Sequence, residues 1–147
     1  PYKVFQKGNI KVGIYGLGIE LYGLVPQLLY GNTQYLDPIK SAQKYEKILK
    51  QEMACDLVIC LSHLGFKYRD GKVSDIALAH QTSHTDIILG GHTHTFLREP
   101  AIEKNRKGHE VIINQVGFGG ILIGQLEVFF NRKRKKKVSH KNNIVVR

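Results

Sequence analysis

Two short, almost unbroken apolar segments limit most strongly what this chain can fold into. The first is Asp56–Ser62 (DLVICLS), and the second is Asp86–Leu89 (DIIL). Apolar runs of this length are typical of parallel strands that are covered on both faces. Because helical patterns lie before and between the two segments, we expect parallel strands with helices packed on the sheet. The sequence therefore predicts an α/β fold.

The helix before the first apolar segment has the clearest boundaries. Asp37 can cap its N-terminus, and Pro38 suits the first helical position, where a missing N–H costs nothing. Apolar residues then recur at helical spacing, with lysines on the opposite face, which predicts a helix from about Pro38 to Ala54. A second helix is expected from Ser74, its cap, to about Thr82.

Three further segments have the pattern of strands. Ile10–Gly18 alternates branched apolar residues with glycine and lysine, and Val111–Gln115 and Ile121–Phe130 are apolar runs. The glycine-rich turn Gly117–Gly120 joins the last two, which predicts a hairpin-like pair at this end of the fold. Gly23–Tyr35 is expected to be irregular.

Both buried strands lead directly into histidine. The first continues into His63, and the second continues through Gly90 and Gly91 into His92-Thr93-His94. In open α/β sheets, ligands bind beyond the carboxyl ends of the strands, so we expect these histidines to share one crevice. The glycine pair allows a tight turn without a Cβ clash. In an extended segment, two histidines separated by one residue point to the same face.

Neutral imidazole is a good ligand for zinc, iron, manganese and cobalt ions. We therefore predict that His63, His92 and His94 are metal ligands, either with one imidazole on each of two metals or with both on one. The alternative for any single histidine is a surface residue or a hydrogen-bonded core residue. Their shared position at strand ends favours the metal site.

The histidine motifs also carry a family resemblance. SHLG at Ser62–Gly65, followed by GGHTH at Gly90–His94, resembles the later motifs of calcineurin-like metallophosphoesterases. Across residues 10–130, the order of segments resembles the catalytic domain of bacterial 5′-nucleotidases. The resemblance implies the C-terminal half of a four-layer α/β/β/α metallophosphatase sandwich with mixed sheets. It further implies two-metal hydrolysis of phosphate monoesters, typically nucleotide 5′-phosphates.

The same resemblance implies a ligand set. His63 and His92 would bind one divalent ion and His94 the other, with zinc, manganese, iron, cobalt or magnesium as the ions. The family's Asp-x-His, Gly-Asp-x-x-Asp and Gly-Asn-His-Asp/Glu motifs do not occur in this sequence, so no catalytic residue is assigned. We expect an incomplete and inactive fragment with partial or no metal occupancy. The full-length parent is expected to be exported or periplasmic.

Charge and hydropathy define the remaining expectations. Residues 1–131 are assigned to the phosphoesterase domain, and residues 132–147 to a basic hairpin tip or tail. The formal net charge is +10, and RKRKKK at Arg132–Lys137 supplies part of it. No aromatic residue interrupts that run, which favours a solvated tip over nucleic-acid binding. No apolar run approaches the roughly 20 residues that a membrane-spanning helix needs, so no such helix is expected.

Three functional hypotheses follow. The first is part of a nucleotidase-like enzyme, and the second is a non-catalytic binding or assembly module with the same fold. The third is a basic nucleic-acid binder. A half-domain exposes sheet edges and apolar faces, so we also expect pairing with the missing N-terminal half or self-association.

Overall fold

The computed structural model describes residues 1–131 and 136–145, and a six-stranded mixed sheet is its centre. The strands of this sheet are β1 (Tyr2–Lys7), β2 (Ile10–Leu17), β3 (Leu57–Ser62), β4 (Ile87–Leu89), β5 (Ala101–Lys104) and β6 (Glu110–Asn114). Their order is β1-β2-β3-β4-β6-β5. β2, β3, β4 and β6 run parallel, and β1 and β5 are antiparallel edges. The predicted α/β class with a mixed sheet is confirmed.

The helices lie in the connections between the strands. They are α1 (Gln27–Tyr30), α2 (Pro38–Lys47), a π-helix (Ile48–Glu52) and α3 (Asp75–Gln81). As predicted, Asp37 caps α2 by accepting a hydrogen bond from the backbone N–H of Lys40 at 3.0 Å. The Ser74 hydroxyl caps α3 by accepting a hydrogen bond from the backbone N–H of Ala77 at 3.3 Å. The structure differs from the predicted helix, which continued to about Ala54. The α-helix ends at Lys47, and the chain then continues as the wider π-helix.

The six-stranded sheet is the middle of three layers. One face packs against α2 and α3, with a buried core that includes Tyr15, Ala42, Leu49, Val58, Cys60, Leu78, Ile88 and Ile113. The opposite face packs against a two-stranded sheet formed by β7 (Leu122–Phe130) and β8 (Lys136–Ile144). The order is therefore helix, sheet, sheet. The fourth layer of the expected sandwich, a second helical one, stays a prediction.

The predicted hairpin of the last two apolar runs is wrong. The glycine-rich turn joins β6 to β7, but β6 pairs with β4 and β5, whereas β7 pairs antiparallel with β8. Gly117, Gly119 and Gly120 all have positive φ angles, which direct the chain from one sheet to the other. β8 occupies residues 136–144 of the expected basic tip or tail. Residues 132–135, which hold most of the basic run, and residues 146–147 lie outside the described residues.

Two surface features complete the fold. In the ranges described, no helix has the length and apolar character needed to cross a membrane. The segment around α1 exposes large apolar side chains, including Leu28 at 94%, Tyr22 at 82% and Leu29 at 74%. Such a surface is in keeping with the expected pairing to another segment or copy, which stays a prediction.

A buried carboxylate attaches α2 to the loop that leads into β4. Glu46 is 2% exposed and accepts hydrogen bonds from the backbone N–H groups of Ser83, His84 and Thr85 at 2.8–2.9 Å. The Thr85 hydroxyl donates a further bond at 2.9 Å. Because this loop precedes β4, Glu46 fixes the strand relative to the helical layer.

We expect the Glu46→Ala variant to lower the free energy of unfolding by about 3 kcal/mol, because it leaves buried donors without an acceptor. Urea unfolding followed by circular dichroism measures the change. Glu52→Ala, at an exposed position of the π-helix, is the matched control and should stay within about 0.5 kcal/mol of the unsubstituted chain. Equal unfolding midpoints for the two variants would contradict this role of Glu46.

Candidate metal centre

Two adjacent parallel strands, β3 and β4, end at the same edge of the sheet and bring the histidines together. His63 follows β3, and the GGHTH segment follows β4, which is paired with β3 through Leu61 and Leu89. The ring centroids of His63 and His92 lie 5.3 Å apart, with the rings inclined at 67°. Two of the three predicted ligands therefore lie side by side beyond the strand ends, and their role as ligands stays a prediction.

His94 lies differently from the sequence-based expectation. His92 and His94 have φ angles of 74° and 52°, so the segment is not extended, and the expectation that both side chains share a face for that reason is wrong. The ring of His94 instead lies 5.1 Å from the ring of Phe118. Left-handed backbone at two non-glycine positions of one short motif is a strained arrangement that tends to occur at functional sites.

Gln115 holds this strained loop in place. Its side chain is 1% exposed, and it follows β6, the parallel neighbour of β4. The amide oxygen accepts hydrogen bonds from Thr95 N at 2.6 Å and from the Thr93 hydroxyl at 2.9 Å, and the amide nitrogen donates to the Gly91 carbonyl at 2.8 Å. A single buried amide thus satisfies polar groups on both sides of His92. The only sequence signal for this role is a glutamine at the end of an apolar strand.

The two glycines before His92 are required by close approach. A Cβ on Gly91 would lie 3.1 Å from Nδ1 of His63, and a Cβ on Gly90 would collide with Oδ2 of Asp75. Neither glycine is among the residues with positive φ. The predicted absence of a Cβ clash is therefore the reason for the glycine pair, whereas the unusual backbone angles belong to the histidines.

Asp75, the first residue of α3, is a buried carboxylate beneath the histidines. Its side chain is 0% exposed, and Oδ1 accepts a hydrogen bond from the Ser62 hydroxyl at 2.5 Å. Among the described residues, Oδ2 has no hydrogen-bond partner. Burial raises the pKa of Asp75 to about 6, against the opposing effect of the Ser62 hydrogen bond. From the sequence, this residue is expected only as part of the helix that begins after Ser74.

The electrostatic surroundings of His92 suit metal binding. Burial lowers the pKa of His92, and the neighbouring His63 and His94 lower it further. The neutral imidazole, which has a free lone pair for a metal ion, is thereby favoured. Within residues 1–131 and 136–145, no group of three or more histidine, cysteine or acidic side chains is arranged as a ligand set. His63 and His92 have the chemistry and the proximity of metal ligands, but two imidazoles alone are not a complete ligand set.

A cleft lies beside His92. Its volume is about 450 Å³, and aromatic side chains line it together with a lysine: Tyr22, Tyr35, Tyr68 and Lys72. Aromatic walls are typical of sites for small organic groups.

The chain is similar to known proteins in sequence and in fold. No protein-family model matches the chain. Apyrase from Tabanus yao is 33% identical over 131 residues, which are 86% of this chain and 22% of that protein. The 5′-nucleotidase of Vibrio cholerae is 33% identical over 101 residues, which are 63% of this chain and 18% of that protein. The chain belongs to the calcineurin-like metallophosphoesterases related to 5′-nucleotidases.

A solved structure supports this membership at the level of the fold. The crystal structure of a 5′-nucleotidase precursor from Thermus thermophilus superposes with a TM-score of 0.77 and 29% identity. The match covers 98% of this chain and 29% of the Thermus protein. This metallophosphoesterase chain thus spans less than a third of the length of each of these three relatives.

We expect an unusual pH dependence of stability from Asp75. Between about pH 4 and pH 6, the folded protein keeps the Asp75 proton while the unfolded chain loses it, because the pKa rises from 3.8 to about 6 on folding. The stability from this group is therefore lost as the pH rises through 6. Asp75→Asn does not titrate and retains an acceptor for Ser62.

The measurement is the free energy of unfolding of both proteins from pH 4 to pH 8. Over this pH range, the free energy of unfolding of the variant should rise by roughly 3 kcal/mol relative to that of the unsubstituted chain. The difference between the two proteins should reach a plateau above pH 7. A difference that stays constant with pH would show that Asp75 has an ordinary pKa.

Proposed function

We propose that this chain supplies one side of a two-metal site that hydrolyses phosphate monoesters, with nucleotide 5′-phosphates as substrates. The observation that carries the proposal is the contact of the His63 and His92 rings at the ends of adjacent parallel strands. Membership of a family whose named relatives include an apyrase and a 5′-nucleotidase favours nucleotides. The aromatic cleft beside His92 has room for the organic part of such a substrate.

The three histidines would divide between two ions in the proposed site. His63 and His92 would hold one divalent ion, and His94, whose ring lies against Phe118, would hold the other. When bound, such ions activate the attacking water and neutralise the phosphoryl oxygens. Gln115 keeps the His92 loop in its strained conformation, so that the imidazoles need little rearrangement on binding.

The proposed site needs groups that this sequence does not contain. The family motifs that carry the bridging aspartate, the asparagine ligand and the catalytic histidine are absent from the 147 residues. Paired-metal catalysis depends on fixed coordination, and the bridging carboxylate sets the distance between the ions. We therefore propose that the activity belongs to a longer parent protein. An exported parent is in keeping with the precursor name of the Thermus relative.

We expect the chain alone to have little or no phosphatase activity. The assay uses adenosine 5′-phosphate and a generic phosphomonoester with added Mn²⁺ or Zn²⁺. His92→Ala is the control, because any contaminating phosphatase persists in that variant. Turnover by the unsubstituted chain that His92→Ala abolishes would contradict this expectation.

Partial metal binding is expected even without turnover. We predict that the chain dialysed against Zn²⁺ retains metal and that His63→Ala lowers the retained amount, because the variant leaves His92 without its neighbouring ligand. Elemental analysis by mass spectrometry measures the metal content. His109→Ala, at an exposed histidine of the β5–β6 turn, is the matched control and should leave the content unchanged.

A non-catalytic module is the second candidate. It is favoured by the lack of a complete ligand set within the described residues and by the exposed apolar side chains around α1. Such a module would use the fold for binding or assembly. Equal metal content in the unsubstituted chain and His63→Ala would favour it over the enzyme.

A further inference from the structure

We infer that Asp75 is a positioning residue that fixes the spacing of the His63 and His92 imidazoles by joining the two turns that carry them. The inference rests on the proposed function, because it assigns Asp75 to the support of that metal site. Its basis is the position of one buried side chain between two loops that are distant in sequence.

Asp75 secures the His63 turn on both sides of the histidine. Before His63, the Ser62 hydroxyl donates to Oδ1 of Asp75 at 2.5 Å. After it, the Asp75 backbone N–H donates to the Gly65 carbonyl at 2.8 Å. The Leu64 N–H donates to the same Ser62 hydroxyl at 3.2 Å. The backbone that carries His63 therefore has little freedom to rotate.

The other carboxylate oxygen of Asp75 faces the His92 turn. Oδ2 occupies the space that a side chain on Gly90 would need. On its other side, Gly90 donates its N–H to the Asn114 carbonyl at 2.9 Å, and Gln115 binds the Gly91 carbonyl. The end of β4 is thus held between Asp75 and β6. One side chain consequently limits the movement of both turns.

The chemistry of Asp75 argues against a purely stabilising role. A buried carboxylate with one oxygen unpartnered among the described residues costs free energy. A buried carboxylate that carries this penalty next to Gly90, in the turn that leads into the strained histidines, is expected to serve the site. Substitution of residues that support the metal ligands without touching the metal commonly changes the metal affinity.

The test compares Zn²⁺ binding by isothermal titration calorimetry with the imidazole signals in ¹H–¹³C NMR spectra of the metal-free chain. Asp75→Ala should weaken Zn²⁺ binding about ten-fold or more and shift the His63 and His92 signals. Asp75→Asn, which can still accept the Ser62 hydrogen bond, should restore most of the affinity. Ser62→Ala, a milder change, should shift the His63 signals more than those of His92.

A double substitution tests the contact with Gly90. Gly90→Ala alone should weaken Zn²⁺ binding, because its Cβ meets Oδ2 of Asp75. Combining it with Asp75→Ala removes the collision, so the pair should cost less than the sum of the single effects. Glu46→Ala is the structural control: it removes another buried carboxylate, which lies in α2 and binds the loop at the opposite end of β4. It should lower stability without moving the His63 and His92 signals.

The outcomes separate this inference from the proposed function. If the unsubstituted chain binds no Zn²⁺, the proposed metal site fails, and the NMR signals alone decide the role of Asp75. Unchanged signals of both histidines in Asp75→Ala overturn the positioning role. So does an equal effect of Glu46→Ala on these signals, because Asp75 would then act only through general stability. If Asp75→Ala does not fold, Ser62→Ala and Asp75→Asn decide by the same signals.

Discussion

The parallel pairing of β3, β4 and β6 is the constraint on which the rest of the molecule depends. Parallel strands end at one edge, so the residues that follow them become neighbours although they are far apart in the sequence. His63, His92 and Gln115 each follow one of these strands. The apolar runs that make the strands fit between two layers therefore also determine where polar chemistry can be placed.

Local patterns were sufficient to predict the parts of the fold that depend on neighbouring residues. The caps of α2 and α3 follow from Asp37 and Ser74, whose side chains bond to backbone N–H groups three residues away. The edge strands β1 and β5 were not predicted, because most of their residues are exposed and lack an apolar pattern. β8 was missed as a strand for a similar reason, since lysine and asparagine dominate it.

In the candidate site, too, some residues could be predicted from local patterns and others could not. The histidines were recognisable from their positions after apolar runs and from their resemblance to a family motif. Asp75 and Gln115 were not, because their roles depend on contacts across 13 and 24 residues of sequence. The backbone angles of His92 and His94 were not predicted either, because the spacing of the two histidines was interpreted for an extended chain. Tertiary hydrogen bonds with Gln115 override that local preference.

The positive φ angles of the two histidines narrow the evolutionary routes open to this loop. Left-handed backbone is tolerated by glycine and by asparagine, aspartate and histidine, and it is unfavourable for valine, isoleucine and threonine. The residues that can replace these histidines without rebuilding the loop are thus few, and most of those with side chains are themselves metal-binding types. Drift at either position would tend to exchange one ligand for another, so a change of metal preference is more accessible to this backbone than a change to an apolar surface.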